Sequence, residues 1–166
     1  MRPQDIVILL KLVAIGNNKW FMKDLSIELK ISQSEVSESL NRSMLAGLIS
    51  ASKNKIMTNA LLDFLIYGIK YVYPVKPGSI GRGVKTAHSA PPLDKMIRSD
   101  DIYVWPWAYG EARGQYVEPL FWSVPEVCQK DKKLYILLSL VEAIRIGKAR
   151  EHNLAVIELK SLLSEK

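Results

Sequence analysis

The sequence has little of what a disulfide scaffold or a metal centre requires. It contains one cysteine, Cys128, and two histidines, His88 and His152, which lie far apart in the chain. A lone cysteine cannot form an intramolecular disulfide, and the two histidines do not have the spacing of metal ligands. No pair of residues has the pattern of a nucleophile and its base. We therefore expect no metal, no other cofactor and no catalytic residues, and we interpret the protein as a non-enzyme.

Long apolar runs are also missing. The run from Ile6 to Leu10 is interrupted by Lys11, and no window approaches the roughly 20 apolar residues that a membrane-spanning helix needs. No small-residue cleavage site follows this run, so the sequence predicts neither a signal peptide nor a membrane partner. Together with the single cysteine, these features favour a cytoplasmic protein.

Acidic residues are outnumbered by basic ones. The 166 residues include 23 Lys and Arg against 17 Asp and Glu, which gives a net charge of +6. The 48% hydrophobic content is enough for a core and excludes a disordered chain. Between positions 70 and 98 there are six basic residues and one acid, Asp94. A basic balance favours an anionic partner, and this segment is either a second phosphate contact or a solvated connector.

Proline is nearly absent from the two ends of the chain. Seven of the eight prolines lie between positions 71 and 125. Since proline breaks helices, the pattern predicts a mainly α protein with a small amount of β structure. We divide it into an N-terminal helical domain, 1–70, and a second region, 71–166. The second region consists of an irregular strand-and-loop segment followed by C-terminal helices, the first from Lys132 to Ile146.

The elements predicted within residues 1–70 arrive in an informative order. A helix from Pro3 is followed by a second helix at about Phe21 to Leu29 and by a third over residues 32–45, where Ser32 and Glu35 have the spacing of a capping box. Two short extended pieces, 48–51 and 55–57, then form a hairpin. Lys30 occupies a turn position where glycine is common, which requires either an unusual backbone conformation or a shifted turn.

This order, and the stretch from Lys23 to Ile49 with its ending Ala-Gly-Leu-Ile, resembles the winged helix-turn-helix of bacterial MarR-like transcriptional regulators. The resemblance implies a sequence-specific regulator of double-stranded DNA, acting as a repressor, with helix 32–45 in the major groove. The DNA-binding residues on that helix would be Ser32, Gln33, Ser34, Ser37, Glu38, Asn41 and Arg42.

The same resemblance places the hairpin tip over the phosphate backbone. Lys53, Asn54 and Lys55 would make those contacts. Two acids on the recognition helix, Glu35 and Glu38, depart from the pattern because they would repel phosphates. This repulsion is avoided if Glu35 is used in the helix cap and Glu38 accepts from a cytosine amino group.

Aromatic residues alternate at Tyr103, Trp105, Trp107 and Tyr109. In an extended chain this spacing places four rings on one face. The face would be either a platform for a ligand or a partner protein, or a small second core, and we favour the core. Pro106 would confine such a strand to the edge of a sheet.

The C-terminal tail carries a large apolar stripe. Its members are Leu134, Leu138, Val141, Leu154, Ile157 and Leu162. A soluble monomer seldom exposes so much apolar surface, so we expect a homodimer built on this tail. The segments 117–125 and 145–151 resemble regulator-like bacterial proteins, some of them antitoxin components. The alternative function is therefore an antitoxin-like or scaffold protein whose C-terminal half binds a toxin or another partner protein.

Overall fold

The computed structural model describes residues 1–164 as a mainly α structure with a small three-stranded sheet. Helices lie at both ends of the chain and the strands lie between them. The N-terminal helices are α1 Pro3–Ile15, α2 Met22–Leu29, α3 Gln33–Leu45, α4 Thr58–Asp63 and α5 Ile69–Val72, with a π-helical turn, Phe64–Gly68, between the last two. The strands are β1 Ile80–Lys85, β2 Tyr103–Pro106 and β3 Ala112–Tyr116. The C-terminal helices are α6 Val124–Val127, α7 Lys132–Ile146 and α8 Ala149–Ser164.

The turn between α2 and α3 is made without glycine. Lys30 adopts the left-handed conformation, with φ 56° and ψ 41°. Of the two alternatives for this position, the unusual backbone is therefore the one that occurs. The backbone N–H of Ile31 then donates to the carbonyl of Ser26 at 3.1 Å, which closes the C-terminus of α2. The Lys30 ammonium group bonds to Glu126 of α6, so the exposed side chain also links this turn to the second half of the chain.

The predicted capping box at α3 is only half formed. The Ser32 hydroxyl accepts from the backbone N–H of Glu35 at 3.2 Å, as expected. The Glu35 carboxylate does not return to the backbone of Ser32, because it accepts instead from the side chains of Arg2, Gln4 and Arg42. Ser32 therefore caps α3, while Glu35 joins α3 to the start of α1.

The hairpin after α3 is shorter than predicted. It is reduced to a single bridge between Ile49 and Ile56, flanked by a hydrogen bond from Ser50 N–H to the Lys55 carbonyl at 2.8 Å. The tip turns at Lys53, whose φ is 56°. Since α3 ends at Leu45 and α4 begins at Thr58, few residues remain on either side of the turn for a longer ladder.

The three strands close on one another. β1 is antiparallel to both β2 and β3, while β2 and β3 are parallel, so the sheet forms a miniature barrel. The closure depends on glycine, since a Cβ at Gly83 would overlap the carbonyl of Trp105 and a Cβ at Gly110 would overlap Gly83. β2 pairs with two neighbours, so the expectation of an edge strand was wrong. Pro106 is tolerated because it is the last residue of its strand.

The alternating aromatic residues do not share one face. β2 ends at Pro106, and the chain then turns through a hydrogen bond from Gly110 N–H to the Trp107 carbonyl. Trp105 is fully buried and donates from Nε1 to Glu142 at 3.2 Å, whereas Tyr109 is 80% exposed. Trp105 is therefore a core residue, but of the main hydrophobic core rather than of a separate second one, and Tyr109 belongs to neither.

The apolar stripe of the C-terminal tail packs against other parts of the same chain. Leu134, Leu138 and Val141 lie on α7, which packs against α1, α5 and α8, and all three are buried. One hydrophobic cluster runs from Ile6 of α1 to Leu163 of α8, across the boundary predicted at residue 70. Of the six apolar tail residues, only Ile157 is exposed, at 60%. The reason given for a homodimer was therefore wrong, because the N-terminal helices and the segment between β1 and β2 cover most of the stripe.

Within residues 1–164, no helix combines the length and the apolar character that a bilayer crossing requires.

Candidate nucleic-acid interface

One side of α3 is polar and faces solvent. Gln33, Ser34, Glu38 and Asn41 are exposed and Ser37 is half-buried, as predicted for a recognition helix. The opposite side carries buried apolar residues and packs against α1 and α2. This amphipathic arrangement follows directly from the spacing of the apolar residues along the sequence.

The hairpin tip lies beside this side of α3. The Lys53 ammonium group donates to the side-chain oxygen of Asn41, and Lys55 is exposed. Asn54 is exposed too, and its side-chain oxygen accepts from the hydroxyls of Ser50 and Ser52, which orders the turn. We call these polar residues of α3 and the hairpin the α3–hairpin face: Gln33, Ser34, Ser37, Glu38, Asn41, Lys53 and Lys55.

Two predicted contact residues are already engaged. Ser32 is exposed, but its hydroxyl caps α3 and lies 3.2 Å from the hydroxyl of Ser34. Arg42 donates from Nε and Nη2 to the two carboxylate oxygens of Asp5 of α1, at 2.9 and 2.8 Å, and also donates to Glu35. Its guanidinium is held against α1, so the structure does not bring Arg42 to the predicted DNA contacts.

Arg42 and its two carboxylate partners shift one another's pKa values. Burial raises the pKa of Asp5, but the hydrogen bonds from Arg42 and from the Arg2 backbone outweigh it, so this pKa lies below its ordinary value. The pKa of Glu35 is likewise lowered, because Arg42, Gln4 and Arg2 together exceed the effect of its burial. The bond to Asp5, above all, raises the pKa of Arg42, so the guanidinium stays charged.

These contacts neutralise one of the two acids on α3 that would repel DNA phosphates. The charge of Glu35 is met by Arg42 and Arg2, so it adds little negative potential to the α3–hairpin face. Glu38 is exposed and takes part in no salt bridge among residues 1–164. One unneutralised acid and two lysines therefore remain on the face.

No metal-binding arrangement occurs in the described part of the chain, where no three His, Cys, Asp or Glu side chains cluster. Cys128 is buried, and burial raises the pKa of its thiol, so it is an inert core residue rather than a nucleophile. Comparison of the chain with protein-family models, with curated proteins and with solved structures found no match.

Proposed function

We propose that the α3–hairpin face binds double-stranded DNA in a sequence-dependent way and that the protein is a transcriptional regulator of the winged helix-turn-helix kind. In this proposal α3 enters the major groove, and the hairpin is the wing that lies over the phosphate backbone. Gln33 and Asn41 read purine edges, while Lys53 and Lys55 contact phosphates.

The observation that carries the proposal is the contact between Lys53 and Asn41. It joins a short polar side chain on α3 to a cation on the hairpin, so that base-reading and phosphate-binding groups form one surface. Both residues lie on the solvent side of their elements, while Val36 and Leu40 of α3 are buried on its opposite side. An ordinary surface helix has no need of such an adjoining cationic turn.

Arg42 takes a different role in this proposal from the one implied by sequence. It fixes α3 to α1 through Asp5 and so sets the angle at which the helix projects. It is a positioning residue, and its removal would disturb the whole face rather than one base contact.

We further propose that two copies act together on a palindromic site, because one recognition helix reads only a few base pairs. Sedimentation of the protein alone and with its DNA gives the stoichiometry. A single copy on the selected site would contradict this part of the proposal.

The test begins with duplexes selected from a random-sequence pool by the full chain. Replacing Gln33 and Asn41 by Ala should weaken binding to the selected duplex by about 1–3 kcal/mol for each base-reading side chain removed. Replacing Lys53 and Lys55 by Ala should lower the slope of log affinity against log salt by about two, since each phosphate contact releases about 0.9 counterion.

Matched controls use the same residue types outside the α3–hairpin face. Asn153→Ala, and the pair Lys95→Ala and Lys148→Ala, remove exposed side chains of residues that do not line the cavity beside Lys53 and Lys55. These variants should bind like the unmodified protein. Failure to select any sequence, or equal losses in the test and control variants, would overturn the proposal.

A further inference from the structure

The outer side of the barrel carries a cleft that the proposed DNA-binding face does not use. Two cavities, of about 350 and 720 Å³, adjoin there and share Tyr109, Gly110, Glu111 and Ala112 in their linings. We call this surface the barrel cleft. It lies where the basic segment and the alternating aromatic residues of the sequence come together.

Two arginines stand side by side at one end of the barrel cleft. Arg82 of β1 and Arg113 of β3 are paired directly across the two strands, and both are exposed. Like charges in this position destabilise a sheet. No salt bridge in residues 1–164 involves either of them. An anion bound between the two guanidinium groups would relieve this repulsion.

The rest of the lining adds further positive charge. Lys85 lines the larger cavity, and Glu111 is the one acid in the lining of either cavity. Burial, above all, raises the pKa of Tyr135 to about 12. Its hydroxyl therefore stays protonated and donates to the carbonyl of Lys85 at 2.7 Å, which fixes one wall of the cleft.

An aromatic ring is presented to solvent beside the arginines. Tyr109 is 80% exposed, and its ring stands at 70° to that of Trp107, with the centroids 5.6 Å apart. The turn that carries it is held by the Gly110–Trp107 hydrogen bond and by the tight contact of Gly110 with Gly83. The ring contacts Trp107 in an edge-to-face arrangement and most of its surface is open to solvent, which suits stacking with a flat group.

We propose that the barrel cleft binds a nucleotide unit of single-stranded nucleic acid, with the base stacked on Tyr109 and the phosphate between Arg82 and Arg113. A positive groove beside an exposed aromatic ring is the combination by which single strands are bound without sequence preference. A duplex does not fit this arrangement, because its bases stack on one another and offer no free face. The site does not depend on the α3–hairpin face.

The experiment measures fluorescence anisotropy of a labelled oligodeoxythymidine with the full chain. Tyr109→Ala should weaken binding about tenfold, the size of one base–aromatic stacking interaction. Arg82→Ala with Arg113→Ala should lower the slope of log affinity against log salt by about 0.7, since both arginines contact one phosphate of the single strand. All three side chains are exposed, and thermal unfolding of the arginine pair variant should be unchanged or slightly higher.

Controls separate this site from general charge and from the other proposal. Lys95→Ala with Arg98→Ala removes two exposed cations that do not line the cleft, and Tyr67→Ala removes an exposed ring elsewhere. Neither should change the binding of the single strand. The Gln33 and Asn41 variants should keep single-strand binding while they lose duplex binding, so the two proposals can fail separately.

Competitors identify the source of the nucleotide. If thymidine monophosphate competes as well as the oligonucleotide at the same nucleotide concentration, the site exists and its ligand is a free nucleotide. If the oligonucleotide competes better, the site exists and its ligand is single-stranded nucleic acid. Equal competition by polyglutamate, or full binding by Tyr109→Ala, would overturn the proposal. So would a preference for duplex that the cleft variants do not alter.

Discussion

Each half of the molecule contains a carboxylate–arginine pair with a buried acid, and the two pairs work differently. In the N-terminal half, Asp5 of α1 is bound by Arg42 of α3, so the pair joins two helices. In the C-terminal half, Glu142 and Arg145 both lie on α7, one turn apart. That pair cannot join helices by itself, and its partners elsewhere decide what it holds.

The surroundings of the two acids account for opposite pKa directions. Asp5 receives two bonds from Arg42 and one from the Arg2 backbone, which together overcome its burial. Burial raises the pKa of Glu142 above its ordinary value, and Arg145 and Trp105 offset this only in part. Each carboxylate accepts three hydrogen bonds, two of them from its arginine. The difference therefore comes from burial, which is outweighed at Asp5 and dominates at Glu142, the more deeply buried of the two.

The largest effect is expected at Arg145. Arg145→Ala leaves Glu142 buried without its cation and also removes the donor to the carbonyls of Tyr73 and Glu118. Breaking a buried ion pair from one side costs about 3–5 kcal/mol, so urea unfolding should show a loss of this size. Replacing both partners, as Glu142→Gln with Arg145→Met, should cost less than the single change. A loss below about 1 kcal/mol for Arg145→Ala would show that the pair is not needed.

A smaller effect is expected from backbone crowding in the barrel. Gly83→Ala should destabilise the protein by about 2–3 kcal/mol, because the added methyl overlaps the carbonyl of Trp105 and must push β2 away. Gly78→Ala is the matched control, since its nearest neighbour would be 3.8 Å away, an ordinary contact. Thermal unfolding of the two variants compares them directly. Equal midpoints would mean that the barrel can open at β2 without cost.

The smallest effect, and the one that tests the comparison itself, is the dependence of stability on pH. The pKa of Asp5 is lowered in the folded state. Its contribution to the free energy of unfolding is therefore present when the pH is above the ordinary pKa of an aspartate, about 3.9, and is lost as the pH falls through the pKa of the folded state. Because the pKa of Glu142 is raised, its contribution is present below about 4.3 and is lost as the pH rises through the folded value.

Urea unfolding across the acidic range, with Asp5→Asn and Glu142→Gln as references, separates the two contributions. The stability of the unmodified protein should fall relative to Asp5→Asn as the pH is lowered, and should rise relative to Glu142→Gln. Parallel curves for all three proteins would contradict the difference between the two pairs.

Local sequence signals predicted the helical parts of the structure well. The bounds of α7, Lys132–Ile146, follow from its apolar spacing and from the glycine after it. Ser32 caps α3, and Lys30 takes the left-handed turn that its position demanded. Each of these depends on residues within one or two turns of one another, which is the range over which sequence patterns act.

The parts that sequence did not predict depend on distant partners. Sequence patterns place Arg42 on the recognition surface because nothing near it in the chain indicates Asp5, which lies 37 residues away. The aromatic alternation suggests one long strand, but β2 stops at Pro106, and its neighbours β1 and β3 are reached only across loops. Contacts of this kind are set by tertiary packing, which overrides local propensity.

The bonds of Arg145 bring together two points of the backbone that lie on either side of the barrel. The carbonyl of Tyr73 precedes β1 and that of Glu118 follows β3, yet one guanidinium reaches both. The chain therefore enters and leaves the barrel at the same place, and one side chain of α7 holds both joints. Val84, Leu93 and Trp105 of the segment between these joints belong to the same hydrophobic core as the helices. The barrel is thus fastened to the helices twice, by its ends through Arg145 and by its apolar residues through the core.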